Sequence, residues 1–259
     1  MSRMHTPGVR EGGVGTTGDM RSVFVDCHSH VVPSGDDGAD GVGEGAALCR
    51  DAARHGTRLL FATPHVWPHL TLTDAREVTI REAFARVRAT AGIELRLGWE
   101  LTPAPPLLGE DPARYRLEGT DAVLMEVPFV GSARLLIALA ALTESAGLQP
   151  VIAHPERTEA VLDRPVLADE LAERGWLLQI NATSLLGRHG EDAADVGWDL
   201  LARGVATIVA SDGHRPTRPA HLDEAYELAA SCLGPDRALP LFDGTALGLA
   251  ETEPIERSA

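Results

Sequence analysis

Seven short apolar runs recur along the chain, each closed by turn residues and separated by stretches of helical periodicity. They are SVFVDCH (22–28), RLLFATPH (58–65), LRLGWEL (95–101), DAVLMEVP (121–128), QPVIAHPE (149–156), WLLQINAT (176–183) and ATIVASDGH (206–214). Nearly continuous runs of Val, Ile and Leu at this length describe strands covered on both faces, as in parallel sheets. Between them, EGAALCRDAARHG (44–56), TLTDAREVTIREAFARVRATAG (71–92) and SARLLIALAALTESAG (132–147) place apolar residues at three- and four-residue steps. Each ends on a glycine, as helix C-termini prefer. Thr73 and Ser132 stand where N-caps belong. Strand–helix alternation repeated seven times predicts an α/β fold whose parallel sheet closes as a barrel. No linker interrupts it, so a single domain is expected over 22–250. Residues 1–21 lack periodicity and are rich in Gly, Thr and Arg, the composition of a disordered N-terminal tail. A short C-terminal tail is expected over 251–259, and Met20 offers a second translation start.

Composition then removes several kinds of chemistry. The formal charge of −15 repels nucleic acid and anionic membranes at long range. No apolar run reaches the roughly 18 residues of a membrane span and no secretory signal opens the chain, so a cytoplasmic protein is expected. All 23 basic residues are arginine, which excludes Schiff-base chemistry, carbamylated-lysine metal bridges and the phosphate-binding loop. Cys27, Cys49 and Cys232 are too scattered for a disulfide framework or a zinc cage. A thiol phosphatase needs Arg six residues after its cysteine, and those positions hold Pro33, His55 and Ala238. No Asp-x-Asp pair exists to form an aspartyl phosphate. Strand alternation predicts that Cys27 turns away from His28, towards the helices.

The polar residues sit at one end of the strands. His28, His30, His65, Glu100, Glu126, His154, Asp212 and His214 all come at the C-terminal ends of their runs, and Asp37 follows the first in its loop. In barrels of this type that rim is where side chains from several strands converge. One such histidine is ordinarily a hydrogen-bonded core residue. Six of seven strands ending this way is another matter, because uncompensated carboxylates so close together would repel and desolvate at a cost of several kcal/mol each. The set predicts a divalent metal cluster, and mixed His and carboxylate donors without thiolate suit Mn, Fe or Zn. His69 and His189 are near enough in sequence to line a pocket there.

The stretches HSHVVPSGDDGAD, VIAHPER, QINATSLLGRHG and SDGHRPTRPAHLDEAYELA resemble the polymerase-and-histidinol-phosphatase (PHP) superfamily. Their order is similar to its branch of bacterial manganese-dependent protein-tyrosine phosphatases from capsule and exopolysaccharide loci, over residues 23–250. The resemblance implies a distorted seven-stranded (β/α) barrel with three metal ions, manganese foremost. One ion would take His28, His30 and Asp212, with Glu100 bridging to a second that also takes Glu126 and His154. The third would take Asp37, His65 and His214. Arg157 and Arg218 would hold phosphate, with Arg215 a rival for Arg218. Three divalent ions would leave the site roughly +2 before the arginines are added, enough to draw a phosphate dianion to an acidic protein. The reaction implied is attack of a metal-bridging hydroxide on phosphorus, with a rim His or Glu156 protonating the leaving group. The implied partner is the phosphotyrosine tail of a membrane-associated bacterial tyrosine kinase. The rivals are a histidinol-phosphatase-like enzyme, a metal-dependent amidohydrolase, a PHP nuclease or accessory module, and a metal-stabilised scaffold.

Overall fold

The structure, a computed structural model, describes residues 23–250. The tails expected over 1–21 and 251–259 lie outside the described residues. The strands are β1 (Phe24–Asp26), β2 (Thr57–Ala62), β3 (His65–Val66), β4 (Glu94–Leu97), β5 (Glu100–Leu101), β6 (Ala122–Glu126), β7 (Gln149–Ala153), β8 (Leu177–Asn181) and β9 (Ile208–Ala210). The helices are α1 (Val42–Arg54), α2 (Asp74–Arg88), α3 (Arg134–Ser145), α4 (Glu159–Leu162), α5 (Val166–Ala172), α6 (Ala182–Leu185), α7 (Glu191–Arg203), α8 (Asp223–Leu233) and α9 (Pro235–Phe242).

Every paired strand is parallel, in two ladders ordered β1-β2-β4 and β3-β5-β6-β7-β8-β9. The second and third runs are each broken into two pieces. Pro64 has no N–H to give the ladder. In the third run, a Cβ on Gly98 would stand 2.3 Å from the side chain of the buried Leu117, so glycine leaves room for Leu117 to pack against the break. The halves stay side by side, because Gly98 N–H donates to Ala62 O at 2.8 Å and Glu100 N–H to Pro64 O at 3.2 Å. The seven staves therefore follow one another in chain order. At the seam, Asp212 N–H donates to His28 O (2.9 Å), His30 N–H donates to Gly213 O (2.6 Å), and Ser29 bridges Gly213 in parallel. These bonds bring the last stave back to the first.

Two apolar regions follow from strand alternation. The larger lies between sheet and helices, where Leu60, Leu95, Val123, Ile152 and Val209 meet helix residues such as Leu48, Phe84 and Leu136. The smaller fills the inside of the ring with Val25, Leu59, Phe61, Leu124, Val151 and Ile208, and Leu247 and Leu249 pack against it. Cys27 belongs to this inner group, contrary to the expectation that it would face the helices. Val25 and Cys27 both lie in the inner group, as alternation along the strand gives, and His28 leaves that pattern because the regular strand ends at Asp26.

The Thr73 hydroxyl caps α2 by accepting from Arg76 N–H at 3.2 Å. Ser132 also accepts, from Arg134 N–H at 3.3 Å, but the residue in the cap position is Ala133.

Candidate metal centre

All nine of the expected ligands reach the C-terminal rim. His28 and His30, one residue apart along the first stave, bring their Nε2 atoms to 3.2 Å. Glu100, at the start of β5, lies at the centre. Its Oε2 is 3.0 Å from His28 Nε2, 3.1 Å from His30 Nε2 and 3.0 Å from His65 Nδ1. Its Oε1 bonds His154 Nε2 at 3.0 Å. Asp212 Oδ1 stands 3.4 Å from His28, 3.5 Å from His30 and 3.4 Å from His214. Asp37 Oδ1 lies 3.2 Å from His214 Nε2 and 3.6 Å from His65 Nε2. Glu126 is set slightly apart, with its Oε1 taking the Thr102 hydroxyl.

At the rim, three sets of donor atoms are close enough to surround one cation each: His28, His30 and Asp212; His28, Glu100 and His154; and His30, Asp37, His65 and His214. The grouping follows the division that the resemblance implies, with these differences: His28 also joins the second set, His30 also joins the third, Glu100 falls in the second alone, and Glu126 belongs to none. Glu126 nonetheless lines the same cavity, as do Asp37, His65 and His154.

The donors fit divalent cations better than they fit one another. Glu100 Oε2, His30 Nδ1, His65 Nδ1 and His154 Nδ1 are buried and make no well-aligned hydrogen bond, although Glu100 Oε2 stands among three imidazole nitrogens. Buried polar atoms are nearly always hydrogen-bonded, so such a concentration of exceptions at one place points to a ligand. The electrostatics agree. Burial alone would raise the Glu100 and Asp212 carboxyls, yet the surrounding imidazoles hold both well below the usual range. Burial would lower His30, and bonds to Asp212, Asp36 and Glu100 hold it well above its usual value. Glu126, with less compensation, is pushed up to about 7 by burial and then by the Glu100 charge. Divalent cations would take over the compensation that protonated imidazoles supply here, releasing protons as they bind.

Backbone strain marks the same place. His154 and Asp212 are the non-glycine residues with positive φ among those described, at 35° and 51°. His154 stands one residue and Asp212 two residues past the end of its strand, where such a conformation redirects the side chain into the rim at a cost of about 1–3 kcal/mol.

Four supporting residues escaped the sequence reading. Asp36 accepts the His65 backbone N–H at 3.0 Å and lies 3.7 Å from His30 Nδ1, so its carboxylate ties the His65 backbone to the His30 ring. Gly38 lets this loop lie against the strand, since a Cβ there would stand 2.4 Å from the His30 carbonyl oxygen. On β8, the one stave without a charged ligand, Gln179 Oε1 meets His28 Nδ1 at 2.9 Å. Gln179 then donates to Asn181 Oδ1 at 2.8 Å, and Asn181 donates to Asp212 Oδ2 at 2.8 Å. This amide chain ties two candidate ligands from opposite sides of the seam. Its signal was available, since Gln179 and Asn181 break an apolar run at alternate positions just as His28 and His30 do.

Arg157 and Arg218 both reach Asp212 and line the cavity. Arg157 donates to Oδ2 at 2.9 Å, and Arg218 to Oδ1 at 3.3 Å and to the backbone oxygen at 3.0 Å. Arg215 is turned away, donating to Asp40 Oδ1 at 2.7 Å and the Asp37 backbone at 3.1 Å. His69 lines the cavity, while His189 bonds Ser184 at 3.0 Å and faces a neighbouring groove. Glu156 is buried, accepting from the Ser184 hydroxyl at 2.6 Å and the Asn181 N–H at 3.1 Å. It does not line the cavity, so it is no proton donor to a bound ester.

The chain is 31% identical over 238 residues to the tyrosine-protein phosphatase YwqE of Bacillus subtilis, covering 86% of this chain and 91% of the relative. It is 28% identical over 232 residues to the tyrosine-protein phosphatase CpsB of Streptococcus pneumoniae, covering 85% and 95%. Among solved structures, one from the work on YwqE and CpsB as metal-dependent tyrosine phosphatases superposes with a TM-score of 0.78 at 28% identity, covering 91% of this chain and 97% of that one. The Listeria monocytogenes lactonase Lmo2620 shares the fold alone, with a TM-score of 0.56 at 13% identity, covering 91% of this chain and 96% of that one. Residues 24–246 match the family described as capsular polysaccharide synthesis, CpsB/CapC, and the chain belongs to that family.

Proposed function

We propose that this protein is a metal-dependent phosphatase that hydrolyses phosphotyrosine in proteins. The observation that carries the reading is the convergence of unpartnered buried donors beneath two arginines, at a cavity of about 390 Å³ open to solvent. Relatives named as tyrosine-protein phosphatases support the choice of substrate. Three Mn²⁺ ions are the proposed complement. His28, His30 and Asp212 would hold one, Glu100, Glu126 and His154 a second, and Asp37, His65 and His214 a third. Bound there, divalent ions lower the pKa of water towards about 7 and make hydroxide available at neutral pH.

The remaining work falls to this chain's residues. Arg157 and Arg218 are fixed by Asp212, and their guanidiniums would hold the equatorial oxygens of the phosphoryl group as charge builds on them. Gln179 and Asn181 keep the His28 ring and the Asp212 carboxylate in register. Asp36 ties the His30 ring to the His65 backbone. In the reaction the tyrosyl O–P bond breaks, a bond from phosphorus to the attacking oxygen forms, and the phenolate takes up a proton. Tyrosine is a good leaving group for this purpose, with a phenol pKa of about 10.

The proposed substrate is the phosphorylated tail of a membrane-associated tyrosine kinase that governs polysaccharide export. The site suits a cytoplasmic enzyme, and no described helix is long and apolar enough to cross a membrane. The test is phosphate release from a phosphotyrosyl peptide and from histidinol phosphate, after chelation and after Mn²⁺ is restored. Mn²⁺-dependent release from the peptide, lost in His28→Ala, is expected. Faster release from histidinol phosphate would move the protein to small-molecule metabolism.

A further inference from the structure

We propose that Phe129 and Trp67 form an aromatic slot that takes the phenyl ring of the leaving group and so makes the site selective for aryl over alkyl phosphate esters. The inference rests on the phosphatase reading and concerns what that site accepts.

The floor of the cavity is polar, built from the candidate ligands and the two arginines. Its walls are different. Phe129, in the loop after β6, is 45% exposed although fully apolar. Its ring lies 5.4 Å from the His154 ring and within 9° of parallel, and the Arg157 guanidinium sits 5.0 Å from its centroid. Trp67, immediately after β3, lies 4.3 Å from the His65 ring at 27°, with His69 following at 5.2 Å and 24°. Each aromatic is thus seated on a rim imidazole, Trp67 in the loop after the second stave and Phe129 in the loop after the fourth. Thr102, from the stave between them, also lines the cavity.

A phosphoryl group held by Arg157 and Arg218 would place its ester oxygen just above the imidazoles. The next group outward would stand at the level of Phe129 and Trp67. A phenyl ring there can stack on one or both faces and cover apolar surface that water otherwise wets. A seryl ester puts a single methylene at that level, and the peptide backbone would have to enter the slot behind it. Both aromatic rings are pre-positioned by their stacking partners, so little ordering is required when the substrate arrives.

The experiment uses the full-length, Mn²⁺-loaded protein and two readouts. The first is calorimetric binding of phenylphosphonate and methylphosphonate. The second is the ratio of kcat/KM for a phosphotyrosyl peptide and its phosphoseryl counterpart. Wild type is expected to prefer the aryl compound in both, and Phe129→Ala and Trp67→Ala are each expected to lower that preference by about tenfold, chiefly through KM for the aryl ester. Phe129→Tyr should restore it and Phe129→Leu should not. A merely structural role would weaken both phosphonates equally and leave the ratios where they were. Unchanged ratios in both alanine variants, or equal binding of the two phosphonates by wild type, would overturn the proposal while leaving phosphotyrosine hydrolysis intact. Absence of binding by either phosphonate and of turnover on either peptide would overturn the phosphatase reading, and the slot with it.

Discussion

The same staves end in opposite ways. Their N-terminal halves point Val25, Leu59, Leu124, Val151 and Ile208 into the ring, and Leu247 and Leu249 pack against that group. Their C-terminal ends carry buried imidazoles and carboxylates with several polar atoms unpartnered. One end is made of groups that prefer each other to water. The other is made of groups that, without a cation, are satisfied by neither. Stability is therefore concentrated below the rim, and the rim itself is a place where folding works against local preference until ligand atoms are filled. Substitutions at the two ends should have effects of different kinds.

The largest expected loss of stability comes from the apolar end. Leu59 is 1% exposed in the inner cluster, and Leu59→Ala should destabilise by about 2–5 kcal/mol in urea unfolding. Activity per folded molecule should stay close to that of wild type. A large fall in activity without a fall in stability would mean that the two ends are not separable.

Asp26 sits on the boundary and behaves like neither. It is fully buried, accepts from Ser211 N–H at 3.1 Å and His28 N–H at 3.3 Å, and leaves Oδ2 unpartnered. Burial, outweighing these bonds, raises its carboxyl to about 6. The folded value therefore stands above that of the unfolded chain, near 3.9. Folding favours the protonated form, so its contribution is complete below about pH 4 and is lost as pH rises through about 6. Asp26→Asn should remove that loss, raising stability at pH 8 by up to about 3 kcal/mol and leaving pH 4 unchanged. Denaturant midpoints at the two pH values decide it, and an equal gain at both would count against the boundary reading.

A smaller effect is expected at the polar end. Gln179→Ala should weaken Mn²⁺ binding by about 10–100-fold, measured by competition with a chelator, while the unfolding midpoint of the chelated protein barely moves. The smallest effect is chemical. In the native protein only Cys232, the exposed thiol, should react with iodoacetamide at pH 8, as read by mass spectrometry. Burial pushes the Cys49 thiol up to about 12 and the Cys27 thiol higher still. Native labelling at Cys27 would show that the inner cluster opens on its own.

What could be read from the sequence was whatever periodicity or charge carries. Parallel strands covered on both faces leave continuous apolar runs, and a rim ligand stands out at the end of such a run. The pairings His28 with His30 and Asp212 with His214 followed from alternation alone. What escaped has no such mark. Pro64 and Gly98 look like ordinary punctuation until the ladder is seen to break and resume around them. The left-handed backbone at His154 and Asp212 is invisible in residue type. Gln179 and Asn181 are neutral, so a search for charge passes over them, and Cys27 was misjudged by taking His28, which lies past the end of a short strand, to mark its inward face. Phe129 and Trp67 gave no periodic signal because each acts alone at the head of a loop.

The left-handed pair has a meaning for descent. At residues 154 and 212 an ordinary side chain is held where glycine, or asparagine, would be more comfortable. Only use of the imidazole and the carboxylate repays that discomfort. In a lineage that has given up the reaction, these two addresses should be among the first to drift to glycine or asparagine, and the protein should become sturdier as they do. A histidine and an aspartate still standing there are the sign of a site in service.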